Sequence, residues 1–596
     1  MKIFWKSFFA SSLAMLVIGG FLVLTLIAGI GAIFSEAMGS FETKEKFKVE
    51  DSSILHVQFK APISELSFTE LDKGKMQLNK AFGLRAIKIG LERAKEDTKI
   101  KGILINAASM PAGMATTEEI RNAILDFKES GKFVIAYGET YTQKAYYLAT
   151  VADKIYLYPE GMLEFQGLGV EYMFFKNAID KLGLDVQIIR GSNNKFKSAV
   201  EPFMYDHMSD ANREQTMTYL NALWNQMLNG ISTTRGISKA ELNEIADSVY
   251  VRSAETAKKY KLVDELIYED ELYAKLKSKV EIEDDKELNL LSFQKYCKKA
   301  VKRQKLDLLD KDKNIAVIYA VGGIESGKGA ATTIGSETIA KAIRDAHNDE
   351  NIKAIVLRVN SPGGSALASD VIWREMVLAK AKMPVVVSMG DVAASGGYYI
   401  ACESDRIFAQ PNTITGSIGV FGVLPNISKP LEEKLGITVD RAYTNRPSMM
   451  TITRALTDEE YAIVQEGVDD IYLDFKQKVA NGRPSLDVAG VDAIGQGRVW
   501  AGTDAVKNGL VDELGGIDDA IAYAKEKAGL DEAIIDVYPK NKGDKLMEIL
   551  EQFDIEASVS ITSPAIQKLN SYLQAVENAS KIEGVQARLP FDINIK

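Results

Sequence analysis

The feature that most constrains this chain is that it repeats itself at long range. Lys101-Gly102-Ile103-Leu104-Ile105-Asn106-Ala107-Ala108-Ser109 lies opposite Lys353-Ala354-Ile355-Val356-Leu357-Arg358-Val359-Asn360-Ser361, at an offset of 252 positions. Each is an apolar run running into a loop. The same offset pairs Phe133 to Gly138 with Val385 to Gly390, Tyr146-Tyr147-Leu148-Ala149 with Tyr398-Tyr399-Ile400-Ala401, and Asp153-Lys154-Ile155-Tyr156 with Asp405-Arg406-Ile407-Phe408. Further on, Lys261 to Leu266 echoes Gly509 to Leu514 at an offset of 248, so the loops of the two copies differ in length. A repeat of this period predicts two copies of one folding unit. Short β-branched runs alternate with helical patterns such as Glu118 to Lys128 and Ala368 to Lys380, which predicts an α/β fold of strand, crossover helix, strand.

The expected boundaries follow from that reading. Residues 50–276 form the first copy, 277–313 a charged connector rich in Lys, Asp and Leu, 314–540 the second copy, and 541–596 a helical extension. Ahead of them, after a tail at 1–6, residues 7–35 carry no charge over 29 positions. At about 1.5 Å per residue this exceeds the ~30 Å hydrocarbon core of a membrane, so one spanning helix is expected. A cleaved signal peptide ending near Ala37-Met38-Gly39 is the rival, but its apolar region would run for only ~7 to 15 residues. Lys2 and Lys6 before the segment are matched by Lys44, Lys46 and Lys48 after it, so charge leaves the orientation open.

Composition removes several classes of function. Hydrophobic residues make up 46% and charged residues 26%, with a net charge of −10 and no basic block, which speaks against nucleic-acid binding. Two cysteines, Cys297 and Cys402, make no disulfide framework. Three histidines, His56, His207 and His347, have no ligand spacing, and neither His207 nor His347 sits in a motif that would make it a catalytic base. No metal and no cofactor is expected.

The copies differ in complementary ways. The second has Asn360-Ser361-Pro362-Gly363-Gly364-Ser365 and then Asp391-Val392-Ala393-Ala394-Ser395-Gly396-Gly397-Tyr398; in the first, Gln143 stands at the place of Ser395. The first has Asn194-Lys195-Phe196-Lys197-Ser198-Ala199-Val200-Glu201-Pro202, whereas the second has Met near the place of Lys197. A serine needs an adjacent base to become a nucleophile, and a lysine serves only when burial depresses its pKa. Glycines after a strand let backbone N–H groups approach an acyl oxygen, so Gly363, Gly364 and Gly396 are candidate oxyanion donors. Ser417, in Thr415-Gly416-Ser417-Ile418-Gly419, is a candidate for holding the lysine amine. Singly, each has a plain structural explanation: tight packing, a turn, a solvated lysine. Their distribution over a degenerate repeat points instead to one site shared by both halves.

Lys197-Ser198-Ala199-Val200-Glu201-Pro202 together with Ala394-Ser395-Gly396-Gly397-Tyr398-Tyr399 resembles the long, duplicated form of the signal peptide peptidase A family, membrane-bound Ser/Lys proteases. The resemblance runs from about Ser52 to Gly529 and takes in Gly497-Arg498-Val499-Trp500 and Gly509-Leu510-Val511-Asp512. It implies two tandem ClpP/crotonase-like domains after the transmembrane helix, Ser395 as nucleophile and Lys197 as general base. It further implies a homo-oligomer, a tetramer, anchored by a single pass in the bacterial inner membrane with its catalytic domains on the periplasmic side. The implied substrates are apolar signal-peptide remnants. The Asn360 to Gly364 loop is also similar to that of ClpP peptidases, but the stretch from Gln410 to Ser417 lacks the histidine those enzymes use. Two alternatives stand beside this reading: a crotonase-like acyl-CoA enzyme, which would commonly place carboxylates near the thioester, and a non-catalytic membrane scaffold.

Overall fold

The structure, a computed structural model, describes residues 47–72, 77–308, 311–330, 332–445, 450–540 and 585–588. The expected transmembrane helix at 7–35 lies outside them, and among the described residues no helix is long and apolar enough to cross a membrane. The chain divides into a small unit that includes Thr69–Asn79 and a large one with Asp51–Phe68, Lys80–Asn541 and the described residues Val585–Arg588. Both sheets of the repeat belong to the large unit.

The two copies build the same sheet. In the first, the strand order is Leu290–Ser292, Ser53–Val57, Ile100–Ile105, Phe133–Tyr141, Lys154–Leu163 and Glu265–Leu266, with every pairing parallel. In the second, Ile535–Tyr538, Ile315–Val321, Ala354–Ser361, Val385–Ala394, Arg406–Ala409 and Glu513–Leu514 follow one another in the same order and again in parallel. The helices keep the sequence offsets. Leu84–Glu96 and Met114–Lys128 recur as Ser336–Asn348 and Ala366–Lys380, while Ala254–Lys259 and Glu269–Lys279 recur as Gly502–Lys507 and Ile517–Lys527. Parallel strands covered on both faces need near-continuous apolar sequence. Ala354–Ser361 meets that need, with its one charged residue, Arg358, fully buried. The Ser336–Asn348 helix turns Ile339, Ala340, Ile343 and Ala346 inward at helical spacing and leaves its charges outside.

Two boundaries differ from expectation. The segment at 277–313 is not a bare connector: Leu290–Ser292 is the outer strand of the first sheet and Phe293–Asp307 is a helix packed against Leu84–Glu96. A three-residue edge strand inside a run of charges leaves too short an apolar signal to read. Within 541–596, expected to be helical, the described residues Val585–Arg588 form a strand, because two sheet edges are available on either side of it.

The copies are joined through polar groups as well as apolar ones. Asp391, at the end of a second-copy strand, accepts hydrogen bonds from Thr116 N–H at 2.9 Å and Thr116 Oγ1 at 2.6 Å, capping the Met114–Lys128 helix of the first copy. A carboxylate there also faces the positive end of the helix dipole. Asp185–Arg190 of the first copy pairs antiparallel with Phe421–Asn426 of the second. That pairing brings the loop after Arg190 over the second copy.

Candidate active site

Ser395 follows the Val385–Ala394 strand and precedes the short Gly396–Tyr399 helix. Its backbone sits at φ 55° and ψ −115°, a conformation that costs a residue with a Cβ about 1 to 3 kcal/mol. The turn is held by the Ser395 N–H donating to Gly416 O at 2.8 Å and the Tyr399 N–H to Ser395 O at 2.8 Å. Behind it the chain is so close that a Cβ on Gly397 would lie 2.7 Å from Ser361 O. The sharp strand-to-helix turn thrusts the hydroxyl out of the sheet.

Lys197 arrives on the loop after Asp185–Arg190, at the head of the single turn Ser198–Val200. Phe196 N–H donates to Gln496 O at 2.9 Å, and Gln215 Nε2 donates to Phe196 O and to Ser198 Oγ, both at 2.9 Å. Gln215 Oε1 also accepts from Val499 N–H at 3.1 Å, tying the lysine loop to the second copy. Gly497, at φ 83°, presses on the lysine backbone so closely that a Cβ would stand 2.6 Å from Lys197 Cα. These supports bring a side chain from the first copy to one from the second.

Lys197 Nζ and Ser395 Oγ lie 2.8 Å apart, and neither residue has any solvent exposure. Nζ also reaches Ser417 O and Ser417 Oγ, each at 3.0 Å. Burial holds the Lys197 amine well below its ordinary pKa. A neutral amine has two N–H bonds and one lone pair. With the two oxygens of Ser417 taking the N–H bonds, the lone pair faces the Ser395 hydroxyl. The arrangement is chemically able to move the serine proton onto the lysine.

The glycines expected to bind an oxyanion converge beside Ser395. Gly363 has φ 94°, and a Cβ on it would stand 2.6 Å from Gly396 N; one on Gly396 would stand 3.1 Å from Gly364 N. Only glycine leaves this space open. The histidines are elsewhere engaged: His207 with its neighbour Asp206, His347 with Lys382 at 3.0 Å, and His56 within the first sheet, where burial lowers its pKa. In the first copy the place of Ser395 is closed. Gln143 Oε1 accepts from Gln166 N–H at 2.9 Å and Gly167 N–H at 3.0 Å, and its Nε2 donates to Gly167 O at 2.9 Å. A side chain that satisfies its own loop in this way leaves no free nucleophile there.

Sequence reasoning missed Gln215. The signal was present: on the Asp210–Arg235 helix the buried stripe of Tyr219, Leu220 and Leu223 continues through Asn212, Gln215 and Thr216. Polar residues on a buried face need partners, and here the partners are the backbone of the site.

The profile of Peptidase family S49 matches residues 126–283 and 378–531, one stretch in each copy, and that of Clp protease matches 315–415. The chain belongs to peptidase family S49. It is 38% identical over 458 residues to "Protease 4" of Salmonella typhi, covering 75% of this chain and 72% of that protein. With "Serine protease SPPA, chloroplastic" of Arabidopsis thaliana it shares 32% identity over 553 residues, 91% of this chain and 78% of the relative. "Putative signal peptide peptidase SppA" of Enterococcus faecium is 39% identical over 199 residues, 33% of this chain and 57% of its own. As a member of S49 this protein is a serine-type peptidase, which sets aside the acyl-CoA enzyme and the scaffold.

Proposed function

We propose that this S49 peptidase is a membrane-anchored endopeptidase that uses a Ser395/Lys197 dyad to degrade cleaved signal peptides and other apolar peptides. The observation that carries the reading is the 2.8 Å approach of a buried lysine, its amine held by burial well below its ordinary pKa, to a serine held in a strained turn. Neutral Lys197 takes the proton as Ser395 Oγ attacks the peptide carbonyl, and the backbone N–H groups of Gly364 and Gly396, set close by the bare Gly363, hold the oxyanion. Such donors are worth about 2.7 to 4 kcal/mol each. Lys197 returns the proton to the leaving amine, then serves again as base while water hydrolyses the acyl-enzyme.

The preference for apolar peptides is supported by the apolar surroundings of the lysine. Ala199, Val200, Phe421 and Val423 form a buried cluster with Val186 and Ile188 against it, next to the lysine. Assembly as a homo-tetramer on the periplasmic face of the inner membrane, through the 7–35 anchor, belongs to the same proposal. Its support is the exposed apolar residues Leu435, Ile437, Val439 and Ile452, at 41 to 66% exposure, apolar surface of the kind a subunit or membrane contact would cover.

The test is hydrolysis by the full chain in detergent micelles of a synthetic signal peptide against a charged peptide of equal length, read by mass spectrometry. Cleavage of the apolar peptide, lost in Ser395→Ala along with labelling by a fluorophosphonate, is the expected result. Equal cleavage by Ser395→Ala would remove the dyad from the account. Ser417→Ala is expected to lower kcat by about 10- to 100-fold with little change in KM, since a misoriented base weakens only the transition state. A change confined to KM would remove Ser417 from the base's support.

A further inference from the structure

The loop that delivers Lys197 belongs to the first copy, but two aspartates of the second copy catch it at consecutive residues. The Ser192 N–H and Ser192 Oγ donate to Asp469 Oδ1 and Oδ2, each at 2.6 Å. Asn193 Nδ2 donates to Asp492 Oδ2, and Asn194 Nδ2 to Val420 O at 2.9 Å. Asp469 stands on the long Asp458–Gly482 helix and Asp492 on the Val488–Ile494 helix packed beside it.

Tyr472 links this clamp to the base. It is buried on the Asp458–Gly482 helix, and its hydroxyl donates to Asp492 Oδ1 at 3.0 Å and accepts from the Gln496 N–H at 3.0 Å. Lys476, one turn further on, donates to the same Oδ1 at 2.9 Å and lies over the Tyr472 ring, 4.4 Å from its centre. The hydroxyl proton is thus committed to a carboxylate and a lone pair is left for Gln496. Gln496 has φ 54°, a left-handed backbone that persists in a residue with a Cβ only when its surroundings impose it. Gln496 O accepts from the Phe196 N–H at 2.9 Å, one residue before Lys197. The following residue, Gly497, donates its N–H to Ile418 O at 2.7 Å, and Ile418 adjoins Ser417, whose two oxygens hold the amine.

We propose that Tyr472 is a positioning residue for the general base: its hydroxyl holds Gln496 in the left-handed turn whose carbonyl fixes the Phe196–Lys197 backbone, and so keeps the Lys197 amine on Ser395 and out of water. The inference rests on the dyad reading. Burial is the sole cause that lowers the pKa of Lys197, so a loop loosened enough to admit water returns the amine toward its protonated form. Loss of the hydroxyl is therefore felt as a base that is misaligned and harder to deprotonate, not as a loss of affinity for peptide.

Tyr472→Phe deletes one oxygen and keeps the ring. In the full chain in detergent, with kcat counted per fluorophosphonate-reactive serine, it is expected to cleave a synthetic signal peptide with kcat lowered about 10- to 100-fold and KM within about twofold of wild type. The acid limb of kcat/KM is expected to move to higher pH by about 0.5 or more, because a hydrated amine holds its proton more tightly. Tyr461→Phe is the control: it removes a hydroxyl from the same helix that reaches Ile188 O at 3.4 Å without entering the relay, and it should match the wild type in both respects. If Tyr472→Phe yields no reactive serine, Asp492→Ala, which takes away the acceptor of the hydroxyl and leaves the tyrosine, is read by the same criteria. An unmoved acid limb overturns the proposal whether or not kcat falls, since a merely structural tyrosine leaves the base as it was. A Tyr461→Phe that shifts as far as Tyr472→Phe overturns it too. Lys197→Met with wild-type activity overturns the dyad itself, whereas an inactive Lys197→Met beside an unchanged Tyr472→Phe overturns only the relay.

Discussion

The Lys197→Met variant is expected to lose peptide cleavage by about 10⁴-fold or more, as removal of a dyad member does in serine peptidases, and to lose with it a pH dependence of folding stability. Both effects come from one property: burial holds this amine well below 10.5 in the folded chain. In the unfolded chain it titrates normally, so folding releases its proton at pH values between the folded and the unfolded pKa. The unfolded state binds more protons there, and stability rises with pH. The cost is complete below the depressed folded value, falls as pH climbs, and is gone once pH passes the unfolded value near 10.5. Within that window the lysine contributes a slope of about 1.4 kcal/mol per pH unit. Methionine has similar length and no proton to lose. Chemical denaturation of both proteins between pH 6 and 10 isolates the term as the difference in slope; parallel curves would show that Lys197 is charged in the folded protein and unfit to serve as a base. The activity of the wild type should likewise fall on the acid side as the amine becomes protonated.

How far the sequence foretold this site depended on whether a residue's role was repeated or solitary. The 252 and 248 offsets read from short motifs are the spacings at which helix Leu84–Glu96 recurs as Ser336–Asn348 and Glu269–Lys279 as Ile517–Lys527. Lys197 and Ser395 stood out because each lacks a counterpart in the other copy, and the structure brings them within hydrogen-bond distance. Leu290–Ser292 escaped notice because an edge strand of three residues carries almost no periodicity and its neighbours are charged. Val585–Arg588 escaped for a different reason: Val-Gln-Ala-Arg has no pattern of its own, and it is a strand only because Gly363–Ser365 and Phe421–Asn426 supply both partners. Gly497 gave no local sign that its missing Cβ makes room for Lys197, since the crowding atoms lie 300 positions earlier.

Arg358 is the residue whose loss should most damage the fold. It occupies the place held by Asn106 in the first copy, where a small amide donates to Tyr137 O at 3.3 Å and accepts from Gln58 Nε2 at 3.2 Å, both within that copy. In the second copy the fully buried guanidinium donates to Glu65 Oε2 at 3.0 Å, Glu119 Oε1 at 2.6 Å, Ser388 Oγ at 2.8 Å and Met389 O at 3.2 Å. Glu65 and Glu119 come from the first copy, so this network spans the repeat. Burial alone would raise the pKa of Glu119, but Arg358, with Lys88 at 3.1 Å, brings it down to about 2. Glu65 goes the other way, because its burial outweighs the attraction of the arginine. Arg358→Met leaves two buried carboxyls facing a thioether, and breaking a buried pair from one side costs about 3 to 5 kcal/mol. The loss should be read as a lower denaturation midpoint at unchanged m-value. It should shrink toward pH 4, where the freed Glu119 can protonate, and it should largely disappear when Glu65→Gln and Glu119→Gln are added, since the cost lies in unpaired charge. A single variant as stable as the wild type would mean that water reaches the carboxyls and that the Arg358 network does not hold the two copies together.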